Sequence, residues 1–351
     1  MIHRRLWNRL GRSRFGIAAL PGAADRIKRE YVPTIARLIV RGGHVWIGTI
    51  GVMAIVTALA LQTPLTHALF PELAALSCGI LSEPSGAWAS KPWALAVVPT
   101  FAAILGVELN ARLGFSPVSV GLSVASTLII LTILRSAVTP SLSAGLLALV
   151  LGISDPLYPV AIFVGGLVVI GVEALFVRGL GTAVRGESPP QTLLQPARRR
   201  SFSGPLLVIA FAIALAFAAW ETGLRFLLFP PLVVLTYEML ADPACPWARR
   251  PISTSFGCLL AAAVGLAVYT LFGVSILAVS LSVVAGMLML QSVRLFMPPA
   301  LAVGLLPFVM HDPTWVFPLL VFGGIMVAVA FYEGFRCFRD TPSFRVRFRG
   351  P

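Results

Sequence analysis

Long apolar runs alternate with short polar breaks along most of this chain. The runs at 45–61, 93–113, 118–134 and 158–177 have the 17 or more residues that a span needs, at about 1.5 Å per helical residue against a hydrocarbon core of about 30 Å, the 17-residue ones with slight help at their ends. The runs at 70–81 and 140–153 are apolar too, but they fall short of that thickness. They predict half-membrane or re-entrant helices. After a polar stretch the pattern restarts, with long runs at 205–220, 255–272, 275–293 and 315–335 and short ones at 229–240 and 299–310. The fold class is therefore all-α. The pattern predicts a polytopic helical membrane protein of two tandem repeats, each with about four long spans plus two short or re-entrant helices.

The restart is a duplication in sequence as well as in pattern. Phe229-Pro230 lies 159 positions after Phe70-Pro71. At the same offset Pro84 matches Pro243, Trp88 matches Trp247, Gly106 matches Gly265 and Gly114 matches Gly273. So do Ser116 and Ser275, Arg135 and Arg294, Pro140 and Pro299, and Gly145-Leu146-Leu147 and Gly304-Leu305-Leu306. Apolar composition alone would align Leu, Val and Ala. It would not align Pro, Trp, Gly and Arg, so the signal is tandem duplication. An even number of segments per repeat makes the repeats parallel, related by an axis along the membrane normal.

Composition supports a bilayer as solvent. Hydrophobic residues make up 58% of the chain and charged ones only 12%, about half the usual share of a soluble protein. The net charge of +13 is concentrated. Arginine and lysine cluster in 1–43, 178–203 and 336–351, outside the apolar runs. Basic flanks of spans face the cytoplasm and anionic lipid headgroups, so nucleic acid is not the expected partner. The domains follow: a basic cytoplasmic tail 1–43, membrane repeats 44–178 and 204–335 joined by a cytoplasmic linker 179–203, and a basic tail 336–351. With both termini on the cytoplasmic side, the expected location is a bacterial inner membrane. An oligomer is compatible with all of this.

Chemistry is sparse. Cys78, Cys245, Cys258 and Cys337 have no metal-ligand spacing, and no Ser-His-Asp order, Walker motif or HExxH is present. No enzyme activity, cofactor or metal is expected. Acids in or near the apolar runs (Glu108, Glu173, Glu221, Glu238, Glu333) read as interfacial or paired, with proton coupling as the functional alternative. Trp88, Trp93, Trp247 and Trp315 read as an interfacial aromatic belt.

The sharpest features are RSAVTPSLSAGLLA (135–148) and RLFMPPALAVGLLP (294–307). Each places an arginine at the end of a long helix and a proline break before a short one. Charge in a span costs about 2.5–3.5 kcal/mol at the centre, so it is usually placed for a reason. The candidate solute-binding set is Arg135, Arg294, Thr139, Pro140, Pro298 and Pro299, with the amides opening each short helix facing the same place. The alternative is a topology-setting or salt-bridged arginine and a tight structural turn.

The stretch at 294–307 resembles the HPP family of integral membrane proteins, named for His-Pro-Pro after a long span. The Phe-Pro-x-Leu segment from 229 to the turn at Pro243 is similar to that family too. The resemblance covers about 70–177 and again 229–335, so it implies two HPP-like units in one chain. It implies a transporter or channel for a small solute, an inorganic anion such as nitrite, since some members are similar to nitrite carriers. Here Met297 and Val138 stand where the family has histidine, and Thr139 stands at the first proline of the first copy. The competing reading is a non-transporting scaffold or sensor acting through its basic tails.

Overall fold

A computed structural model describes residues 32–179, 203–242, 245–292 and 296–340. Most of the basic tails and linker, and Arg294, lie outside the described residues. The chain divides into two units, Met1–Gly43 and His44–Pro351. Of the first, the described part is helical, 32–43.

The described residues form α1 (Val32–Gln62), α2 (Glu72–Ser82), α3 (Ala94–Leu113), α4 (Pro117–Ile133), α5 (Ser141–Leu151) and α6 (Leu157–Glu173), the last running into a π-helical turn Ala174–Gly179. Then follow α7 (Ser203–Thr222), α8 (Pro230–Ala241), α9 (Pro251–Phe272), α10 (Ile276–Ser292), α11 (Pro298–Leu305) and α12 (Val316–Asp340). No strand occurs among them. Six segments are long and apolar enough to cross a membrane, within α1, α3, α6, α7, α9 and α12. This is an integral membrane protein.

Two runs read as full spans form helices at the short limit for crossing. Helices α4 and α10 have 17 residues each, about 25 Å at 1.5 Å per residue, the lower end of what crosses. Local chemistry sets the limits of α4. Ser116 and Ser119 form a capping box ahead of Pro117 at the first helical position, where a missing N–H costs nothing. At the far end the Ser136 N–H reaches Leu131 O and the Arg135 N–H reaches Thr132 O. That is a Schellman ending, with Arg135 in the left-handed position (φ 47°) that glycine usually takes.

Packing repeats in the two halves. α3 lies against α4, α5 and α6, and α9 against α10, α11 and α12. The halves join through α4 on α7 and, at the centre, through their short helices, α2 on α11 and α5 on α8. In lipid, helices associate by close van der Waals packing rather than by the hydrophobic effect. The closest backbone-on-backbone approaches are glycine on glycine. A Cβ on Gly106 would overlap the Gly145 carbonyl, and one on Gly265 would overlap Gly304. Ring pairs repeat as well. His67 meets Tyr158 edge-on at 5.8 Å, and Phe226 meets Phe317 edge-on at 5.9 Å. The internal similarity of the sequence is therefore also a similarity of contacts.

The four short helices form the centre. Every residue from Glu72 to Leu81, Ser141 to Val150, Pro230 to Leu240 and Pro298 to Leu305 is buried. None has the length to cross about 30 Å of hydrocarbon alone. Their exposed backbone ends are tolerated because protein, not lipid, surrounds them.

Candidate functional site

The short helices begin around one small cavity of about 10 Å³, lined by Glu72, Ala75, Pro140, Ser143, Pro231, Val234, Pro299 and Ala302, room for one water at most. The lining consists of four pairs at the 159-residue offset: Glu72 with Pro231, Ala75 with Val234, Pro140 with Pro299 and Ser143 with Ala302. The cavity thus sits where the two halves meet, and all its residues come from the first two turns, or the cap, of α2, α5, α8 and α11.

Sequence places amides at these helix starts to face a solute. In the structure those donors are already used or missing. The N–H groups of Leu73, Ala74, Ser141, Leu142, Ser143, Leu232 and Ala300 bond back to carbonyls three positions earlier. Pro140, Pro230, Pro231, Pro298 and Pro299 have no N–H. What remains is the helix dipole, about 0.3–1 kcal/mol per helix for a negative charge near the start.

Glu72 is the acid that sequence reasoning overlooked. It is 2% exposed, and both carboxylate oxygens lack a hydrogen-bond partner. Ser143 on the cavity wall and Ser141 beside it also have hydroxyls without partners. Among the described residues no basic side chain lines the cavity. An unpaired buried charge costs several kcal/mol even after relaxation. Four helix starts offset about 1–4 kcal/mol of that, and missing donors add about 1–3 kcal/mol more. The signal in the sequence was an acid two residues into a short apolar run, just after Phe70-Pro71.

A second polar spot lies one turn further along α8. The Thr139 hydroxyl donates to Glu238 Oε1 at 2.5 Å, both fully buried, and Glu238 Oε2 has no partner. Glu238 follows Pro231 and Val234 on one face of α8, at i+7 and i+4. Of the other acids weighed, Glu108 pairs with Arg112 at 2.9 Å and Glu333 with Arg336 at 3.1 Å. Glu221 is exposed, and Glu173 is buried with Oε2 unpartnered.

Of the predicted set, Thr139, Pro140, Pro298 and Pro299 are brought together at the joint and buried. Arg135 is not. It is exposed at the end of α4, and the Lys91 ammonium donates to the carbonyls of Leu134 and Arg135 at 3.0 and 3.1 Å. Arg294 lies outside the described residues. The aromatic belt also needs correction. Trp93 and Trp315 are exposed, but Trp88 and Trp247 are buried, 4% and 1% exposed, because their turns fold inward.

A larger open groove of about 390 Å³ lies between α3 and α6. Its wall is apolar apart from Thr100 and Glu108, and its outer residues Ile104, Val160 and Phe163 are exposed. Near the turns, His67 faces Asp155 at 3.8 Å. Partial burial holds the His67 imidazole below the usual histidine range, Asp155 opposes that, and His311 adds to it.

Residues 194–334 match the family model described as HPP, transmembrane region. The second half of the membrane core is similar to that family. The match contains α8 and α11, and so Pro231, Glu238, Pro298 and Pro299. Met297, in the place the resemblance gives to histidine, is fully buried. No curated protein and no solved structure matches the chain.

Proposed function

We propose that this protein moves a small solute, an inorganic anion such as nitrite, across a bacterial inner membrane through the joint between its two HPP-like halves. The observation that carries the reading is the cavity at the starts of four buried short helices, with a buried acid and hydroxyl left without partners. Buried polar groups are normally satisfied. Polar groups that face a cavity with no protein partner are free to bind a polar ligand. The 10 Å³ volume corresponds to a closed core, so passage requires the halves to separate at α2–α11 and α5–α8.

In this reading Thr139, Pro140, Pro298 and Pro299 shape the site. Pairs of prolines at the helix starts leave breaks about which short helices can tilt. Arg135 with Lys91, and Arg294 in the other half, supply positive charge that draws an anion toward the joint. The positive charge of the tails and linker supports a cytoplasmic side for them in this reading, where anionic headgroups attract basic segments. The protein transports and does no covalent chemistry.

Purified full-length protein in phosphatidylethanolamine–phosphatidylglycerol vesicles tests this. Nitrite and nitrate uptake should exceed that of empty vesicles. Flux equal to empty vesicles for both would refute it.

A further inference from the structure

We propose that the open groove between α3 and α6 seats one phospholipid whose headgroup carries an ammonium. Its acyl chain lies along the groove and its headgroup rests on the Glu108–Arg112 pair. The proposal does not depend on the transport reading.

The groove is a gap between two fixed points. At one, α3 and α6 touch backbone to backbone, where a Cβ on Gly166 would overlap Ala96 Cα and Leu95 O. At the other, the Asn110 amide donates to the Ser154 hydroxyl at 2.9 Å. Between them Pro99 interrupts the hydrogen-bond ladder of α3, because it has no N–H for the Leu95 carbonyl and its ring crowds that oxygen. The groove opens one residue later. It follows α3 from Thr100 to Glu108 and α6 from Pro156 to Phe163, about 10–12 Å at 1.5 Å per residue. That is less than half of a hydrocarbon core of about 30 Å. The groove therefore starts near the helix ends and stops inside one leaflet. Such a length suits an acyl chain of that leaflet, whereas a spanning helix of a second copy would need a face running the full thickness.

The charged end decides which lipid fits. Glu108 is on the groove wall, five residues before the end of α3. Its carboxylate accepts from Arg112 at 2.9 and 3.1 Å. The Arg112 and Glu108 side chains are 78% and 56% exposed, so they face the surroundings of the bundle rather than its core. Charge beside hydrocarbon is costly, and an exposed ion pair offsets little of that cost. The fold does not demand the pair. At the 159-residue offset the second half has Ala267 for Glu108 and Leu271 for Arg112. It also has Leu259 for Thr100 and Ala263 for Ile104. A headgroup with both a phosphate and an ammonium complements the two charges, the phosphate on the guanidinium and the ammonium on the carboxylate. An anionic headgroup without an ammonium gains only the first contact and meets the Glu108 charge. Phosphatidylethanolamine is thus favoured over phosphatidylglycerol. The face of α3 that packs on α5 through Gly106 is a different one, so this seat is separate from the central cavity.

Mass spectrometry of the intact full-length protein in a mild detergent, mixed with phosphatidylethanolamine or phosphatidylglycerol, tests this. One phosphatidylethanolamine should be retained per chain, about fivefold more tightly than phosphatidylglycerol. Glu108→Gln should level the two. Val160→Trp and Ile104→Trp fill the groove from opposite walls at positions 46% and 42% exposed, and should lower retention of both lipids. Val118→Trp, 63% exposed on α4, is the control and should change nothing. Equal retention of the two lipids by the wild type would overturn the proposal, leaving only an unselective lipid shell. So would a preference that survives Glu108→Gln, or retention that neither groove-filling variant lowers. A lipid-free dimer that Val160→Trp dissociates would overturn it in favour of a second copy.

Discussion

The glycine contacts give a sharp test of the packing. In Gly106→Ala the new Cβ would lie 2.8 Å from Gly145 Cα and 3.0 Å from Gly145 C. Ordinary carbon–carbon contacts are about 3.5–4.0 Å, so α5 must retreat by about 0.7 Å or more. Nothing flexible can yield, because the opposing atoms are backbone. Such overpacking costs about 1–3 kcal/mol, against a helix-propensity gain of about 0.5–1 kcal/mol for Gly→Ala. The net is destabilisation of roughly 1–2 kcal/mol, or about a tenfold loss in the folded-to-unfolded ratio. Gly265→Ala, whose Cβ would lie 2.7 Å from Gly304 C, should behave alike. Gly171→Ala is the control: on α6, nothing lies within 4 Å of its Cβ position, so it should be neutral or slightly stabilising. Unfolding midpoints in a mild detergent titrated with a denaturing one would read all three. If Gly106→Ala and Gly265→Ala unfold with Gly171→Ala, the helices do not approach as described.

Thr139→Val should lower stability by about 1–3 kcal/mol, because it leaves buried Glu238 without its donor, whereas Thr139→Ser should restore most of it; the same detergent titration reads both. His67 should give an acid-sensitive step. Its imidazole titrates below the usual histidine range, so protonation favours the unfolded chain. The stabilisation is complete above the unfolded value near pH 6.5 and fades as pH falls through the lower folded one. His67→Phe, which copies Phe226 of the other half, should remove that step from the pH profile of the midpoint. A profile identical to the wild type would show that His67 does not contribute.

How far the sequence could be read follows from what kind of rule each feature obeys. Membrane residence, helix type and the duplication are written in composition, run length and a fixed offset, because lipid permits so few backbone solutions. Pro117, Pro298 and Pro299 likewise mark helix starts wherever they stand. Thr139 and the prolines of the breaks were legible for the same reason. Arg135 was legible as unusual but not in its position. Its left-handed backbone ends α4 and turns the side chain outward, a matter of local geometry that charge alone does not specify. Trp88 and Trp247 looked like interface anchors because tryptophan at a span end usually is one. Only the folding of their turns decided that they are inside. Glu72 was the converse case, a single acid next to proline that reads as a polar helix cap until α5, α8 and α11 close around it. The sequence by itself determined the solvent, the elements and their repetition, since those depend on residues near one another along the chain. The tertiary structure alone decided which polar group is buried with no protein partner, because that depends on four helix starts brought together from positions as far apart as 72 and 299.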